Sequence, residues 1–318
     1  MVPEDLVRKD HTYRRLLAIV PFDELCSCLA SKYSTRGRKS YPVCSIFKAL
    51  LLQWMEELSD RELERYLEEN VAAKLFCSFG LTDPTPDFST FSLTRTRIGT
   101  EGLADLFNAV RDSLKDAGLV REVFTFVDAT HLISKVSLWN ERDKGIKQGI
   151  DKLNNENVSK LAADPDARFG HKGRMGKWYG FKFHVSIDMS HGFICRLATT
   201  SANVEDNQGA RHVLPKSGMV FGDKAYGYGN CKHHMKRLGL HSGAILRKRA
   251  IGKDIDKDKW LTKVRMPYEG AFSKFEKRAR DKGIAKCQFQ GFMEAFVHNF
   301  KRLVTLNADP LILRPFCA

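Results

Sequence analysis

The stretch FVDATHL, residues 126–132, decides how this chain is read. It continues EVFTFVDA, in which Phe124, Phe126 and Asp128 fall on one face and Val123, Thr125 and Val127 on the other. That is the period of two of a β-strand, and the strand carries a carboxylate. VFGDKAYG, residues 220–227, repeats the arrangement. Its apolar run GMVFG is short and continuous, as in a strand buried on both faces, and it ends at Asp223. A single acid after a strand is most often a turn or cap residue. Two acids with the same Phe-x-Asp spacing suggest strands that aim carboxylates. A third acid would make a cation site plausible, because hard divalent ions take several oxygen ligands.

Working outward, residues 177–189 and 192–201 read as two strands joined at SHG. NVEDNQGARHVL and NCKHHMKRLG read as helices, and HSGAILRK as a further strand. Residues 134–175 are polar and read as an excursion, and 250–264 as a charged loop. YEGAFSKFEKRARDK and FMEAFVHNFKRLVTL read as closing helices, the latter with Phe292, Phe296, Phe300 and Leu303 on one stripe. This order gives an α/β class, a mixed five-stranded sheet flanked by helices over 119–318.

Residues 1–118 read as all helical. Apolar positions 43, 46, 47, 50, 51 and 54 keep the helical period. Ser59 with Glu62 is a capping box that predicts a helix from Asp60 to about Asn70. A third helix is expected near DFSTF, capped by Ser89 or Thr90, and a fourth over 101–117, closed by Gly118. GLTDPTPD (80–87) reads as a loop.

The net charge is +14, which favours a polyanionic partner, nucleic acid first. The plainer alternative is a basic surface that only keeps the protein soluble. Eight cysteines include no CxxC unit, so CSC at 26–28 and CKHH at 231–234 lack the spacing of a structural zinc site. They read as reduced thiols. The apolar stretch LLAIV near the start is too short for a signal peptide core, and no run approaches membrane-span length. A cytoplasmic protein with no membrane partner is the expectation.

For a third acid, the segment after the last strand offers Glu269 and Glu276, two turns apart on a helix, or about 10 Å. Both would not serve one metal pair, and either could instead pair with Arg265 or Arg280. At this point the chain resembles the DDE transposases of bacterial insertion sequences, in the branch named after insertion sequence five. FVDATHL resembles the first-acid strand. GHKGRMGKWYGFKFHVSIDMSHGFICRLATTSANVEDNQGA resembles the family block KG…YGYKLH…D…G…TPANVHDSQ. VFGDKAYGYGN resembles the second-acid segment, and RMPYEGAFSKFEKR the segment R-x-x-x-E-x-x-F with the third. The helical start is also similar to the family's N-terminal domain, so the likeness spans about 36–306.

The resemblance implies an RNase-H-like fold, a helical N-terminal DNA-binding domain, and a catalytic triad of Asp128, Asp223 and Glu269. It implies two Mg²⁺ (or Mn²⁺) ions held by those three acids, with Asp128 bridging both. It further implies cleavage at element ends and strand transfer into target DNA. The partners would be double-stranded DNA, as terminal inverted repeats and target, and a second copy of the chain in a synaptic dimer or larger assembly. Its setting would be the nucleoid. One departure stands out. The sister group named after insertion sequence four has a Tyr three before the Arg and a Lys seven after the Glu; here those positions are Thr262 and Glu276, with Lys277 one place late. The basic residue of this segment is therefore Lys274 or Lys277. Two rival readings remain: a nuclease of the same fold, and a non-catalytic DNA-binding protein derived from a transposase.

Candidate phosphate contacts are Lys172, Arg174, Lys177, Lys182, Arg265 and Lys274, with Arg95 and Arg97 in the helical part. Trp178 and Tyr179 could stack a base, although strand packing explains them as well. Helices over 43–70 could form a helix-turn-helix, but five acids between Asp60 and Glu69 make a poor partner for phosphate. Lys32, Arg36, Arg38 and Lys39 suit that role better.

Overall fold

The computed structural model describes residues 3–30, 32, 40–149, 153–173, 176–247 and 249–306. Arg174, Arg36, Arg38 and Lys39 lie outside these. The chain divides into two compact units, 1–119 with 292–318, and 120–291.

The first unit is helical: α1 (Pro3–Leu6), α2 (Thr12–Ile19), α3 (Phe22–Ala30), α4 (Val43–Met55), α5 (Asp60–Glu69), α6 (Val71–Phe76) and α7 (Phe88–Asp116). Helix α4 is buried almost all round, with Ser45, Lys48 and Gln53 buried beside its apolar residues. The capping box is present. Glu62 N–H donates to Ser59 Oγ, and Ser59 N–H donates to the Glu62 carboxylate at 2.8 Å. The expected third and fourth helices differ from the sequence reading in two ways. Asp87, not Ser89 or Thr90, is the cap, accepting from both of their amides. The two then run together as α7, with a kink where Gly99 takes φ 64°.

The second unit holds a six-stranded mixed sheet: β1 (Phe124–Ile133), β2 (Arg168–Lys172), β3 (Gly176–Asp188), β4 (Ile194–Ser201), β5 (Met219–Gly222) and β6 (His241–Ala244). Their order is β2-β3-β1-β5-β6, with β4 also on β3. The sixth strand is β2, which arises inside the polar excursion because RFGHK pairs back on Gly176–Gly180. The excursion also forms α8 (Leu138–Lys147) and α9 (Val158–Leu161). β1 and β3 are antiparallel, while β1, β5 and β6 are parallel. Between β4 and β5 lie α10 (Asp206–Gly209) and a short 3₁₀ turn, and α11 (Gly229–Arg237) follows β5.

The closing helices also depart from the sequence reading. α12 (Ile255–Ser273) starts inside the expected charged loop, because Asp254 accepts from Asp256 and Lys257 N–H and caps it. It stops at Ser273. The chain then runs extended beside β1, where Ile133 N–H donates to Lys277 O and Ala279 N–H to Ile133 O. α13 (Ile284–Thr305) begins in the second unit, and its residues from Phe292 belong to the first. There Phe292 and Phe296 pack on Phe107, Phe296 on Phe47, and Phe300 on Phe22.

The two faces of the sheet have separate cores. Phe126 packs on Tyr268 and Phe272 of α12. Val127, on the opposite face, packs with Ala210, Val213, Tyr226, Met235 and Ala244. The alternation read from EVFTFVDA is thus realised.

Candidate active site

Parallel pairing of β1 and β5 places Phe126 opposite Phe221. The two Phe-x-Asp units are therefore in register. Two residues further on come Asp128, within β1, and Asp223, just past the end of β5, and the charge of Asp223 acts on Asp128. Asp128 Oδ1 accepts from Ala129 N–H at 2.8 Å, and Asp223 Oδ1 from Ala225 N–H at 2.7 Å. Burial pushes the Asp128 carboxyl up to about 6. The Ala129 amide and Lys172 pull against that, whereas the charges of Asp223 and Asp206 add to it. Mutual repulsion of this kind is what a bound cation relieves.

Two lysines border the pair. Lys172 Nζ lies 3.5 Å from Ala129 O. Lys277 Nζ donates to Thr130 Oγ1 at 2.9 Å. Of the two basic residues weighed for this segment, Lys277 is the one that reaches β1; Lys274 is exposed just past α12.

Glu269 has a partner of its own. Its side chain is 45% exposed on α12 and pairs with Arg265 at 3.3 Å. Glu276 pairs with Arg280. Both ion pairs weighed as the alternative to metal binding are thus formed. Among the described residues, no three His, Cys, Asp or Glu side chains stand close enough to hold a metal ion together. Asp223 acts electrostatically on Asp128, while Glu269 pairs with an arginine. The hard oxygen donors of Asp128 and Asp223 still suit a divalent cation.

The remaining basic candidates are placed as follows. Lys182 donates to Asp206 Oδ1 and Val204 O, both at 2.8 Å. Lys177 is exposed. Arg95 is held by Asp60 and Gln53 within the helical unit, and Arg97 is exposed on α7. Trp178 is buried, with its ring against His131, so it packs a strand.

Sequence reasoning missed Asp206 and Tyr226. Asp206 opens α10 and acts electrostatically on Asp128. The Tyr226 hydroxyl is buried within the field of Asp128, Asp206 and Asp223. The only sequence signal was the spacing Phe-Gly-Asp-x-x-Tyr, which periodicity does not interpret.

Residues 123–288 match the family described as Transposase DDE domain, which covers more than half of the chain. The chain belongs to the DDE-domain transposases. Residues 1–97 match a second family, described as Transposase domain (DUF772). No solved structure matches the chain. The transposase is an enzyme that acts on DNA, and its family uses a divalent metal, typically Mg²⁺. No helix among the described residues is long and apolar enough to cross a membrane.

Proposed function

We propose that this transposase belongs to the branch named after insertion sequence five and has an RNase-H-like catalytic domain. In this reading it cuts DNA at the ends of its element and joins the freed 3′ hydroxyl to target DNA. The observation that supports the reading is the in-register pairing of Phe126 with Phe221, two residues before Asp128 and Asp223.

Asp128 and Asp223 are the residues that would hold divalent cations, two Mg²⁺ or Mn²⁺, with Glu269 as the third carboxylate. Bound there, such ions activate the attacking oxygen and stabilise the departing one in an in-line displacement at phosphorus. The chain itself supplies the rest. The parallel strands fix the carboxylates, and partial burial of Asp128 keeps bulk water from screening its charge. Lys172 and Lys277 stand where phosphate oxygens would approach. Lys177, Lys182, Lys274 and Arg265, with Arg95 and Arg97, would position the duplex without reading its sequence. Glu269 would have to exchange Arg265 for the acid pair, so a shift of α12 on binding DNA belongs to this proposal. Two ends must meet, which calls for a dimer or larger synaptic assembly acting in the cytoplasm at the nucleoid.

The deciding experiment is a strand-transfer assay with a labelled element end and a target plasmid. Wild type is expected to give joined product, and Asp128→Asn none, with DNA binding retained. Cleavage undiminished in Asp128→Asn removes that residue from the active site. A nuclease is the second reading. Cut but never joined product would select it.

A further inference from the structure

Tyr226 is fully buried, and its hydroxyl has no hydrogen-bond partner. Buried polar groups are nearly always paired, so an orphan hydroxyl at a catalytic pair needs a reason. The ring has no freedom to escape. It packs among Val127, Ala210, Met235 and Ala244. Gly222, immediately before Asp223, leaves room for it: a Cβ there would lie 2.7 Å from Tyr226 Cδ2. The turn is closed by Tyr226 N–H donating to Asp223 O at 3.2 Å.

Three carboxylates act on the hydroxyl without pairing with it. Asp128, Asp206 and Asp223 all act on it electrostatically, Asp128 most strongly. The phenol carries a proton that it can donate to a carboxylate. Each acid uses Oδ1 elsewhere, on Ala129 N–H, Lys182 Nζ and Ala225 N–H respectively. Among the described residues, the hydrogen bond made by the Asp128 carboxylate is at Oδ1.

We infer that Tyr226 is a positioning residue of the acid site, and that its hydroxyl donates to the Asp128 carboxylate when a divalent cation is bound. A donor on one carboxylate oxygen orients the other toward the ion. The apo protein then holds this donor ready, and ion binding supplies its partner. The inference rests on reading the Asp128–Asp223 pair as the metal site.

The test uses the full chain without DNA. Mn²⁺ is titrated calorimetrically into wild type, Tyr226→Phe and Asp128→Asn, and melting is recorded in EDTA. Tyr226→Phe is expected to weaken Mn²⁺ binding about tenfold. Its metal-free melting midpoint is expected to stay level or rise, because an unpaired buried hydroxyl is removed. Wild-type affinity in Tyr226→Phe, with binding lost in Asp128→Asn, makes Tyr226 a core residue only and overturns the inference. Equal binding in wild type and Asp128→Asn removes the metal pair itself and the functional reading with it. Should Tyr226→Phe fail to fold, Mg²⁺-difference absorption of wild type decides. A red-shifted tyrosine band absent from Asp128→Asn supports the inference, and its absence from wild type overturns it.

Discussion

Asp128 and His184 carry opposite pH signatures, and each follows from burial. Asp128 titrates near 6, above its unfolded value, so the proton binds the folded state more tightly. Its contribution to metal-free stability is full at low pH and falls away as pH rises through about 6. His184 is fully buried on β3, with Nε2 2.8 Å from Thr200 Oγ1 and its ring against Gly209. Burial lowers it to about 4, so its contribution is full above 6.5 and is lost as pH falls through about 4. That contribution is about 3 kcal/mol. Denaturant unfolding across pH separates the two. Asp128→Asn is expected to be more stable than wild type above pH 6 without metal, the gain vanishing in acid. His184→Gln is expected to flatten the acid limb below pH 6.5. An acid limb unchanged in His184→Gln would mean that the histidine is not buried neutral.

At the scale of elements, β3 is the organising strand, and two of its residues have roles that its hydrophobic pattern hides. Gly180 takes φ 155°, and a Cβ there would lie 2.1 Å from Leu132 O. Only glycine lets β3 approach the end of β1 so closely. Gly180→Ala is expected to destabilise the unit by more than about 2 kcal/mol, read from denaturant unfolding. Asp188, at the other end, is fully buried and accepts from Glu122 N–H at 2.7 Å, Ser190 N–H at 3.0 Å and Arg121 N–H at 3.3 Å. It ties the entry of β1 to the β3–β4 turn. Glu122 in turn forms a buried ion pair with Arg196. Asp188→Ala leaves these amides unmatched, and a loss of about 3 kcal/mol is expected by the same measurement. A neutral effect would show that solvent reaches them.

For the whole molecule, the net charge of +14 and the lysines around the acid pair predict binding dominated by phosphate contacts. Log affinity for duplex DNA is expected to fall linearly with log salt, losing about one unit of slope for each phosphate-contacting lysine removed. Lys172→Ala and Lys277→Ala are the variants to compare by fluorescence anisotropy. A flat salt dependence would remove the phosphate groove.

Local rules made much of this legible. Alternation in EVFTFVDA gave β1 and the face of Asp128, and the Ser59–Glu62 spacing gave the start of α5. The same rules failed where distant residues decide. Strand β2 looked like polar loop because only pairing with Gly176–Gly180 makes it a strand, and its His171 and Lys172 are exposed. α12 was misplaced because Asp254 caps it within a charged run that carries no apolar period. Glu269 was chosen on a motif, and in the fold it faces Arg265.

By itself the sequence determined five of the six strands, the acids that two of them present and the basic balance of the chain, because periodicity and charge are local properties. The tertiary structure alone decided that Phe126 pairs with Phe221, that the Tyr226 hydroxyl is buried and that Glu269 pairs with Arg265. Register, burial and proximity arise from contacts between residues far apart in the chain, and no local pattern encodes them.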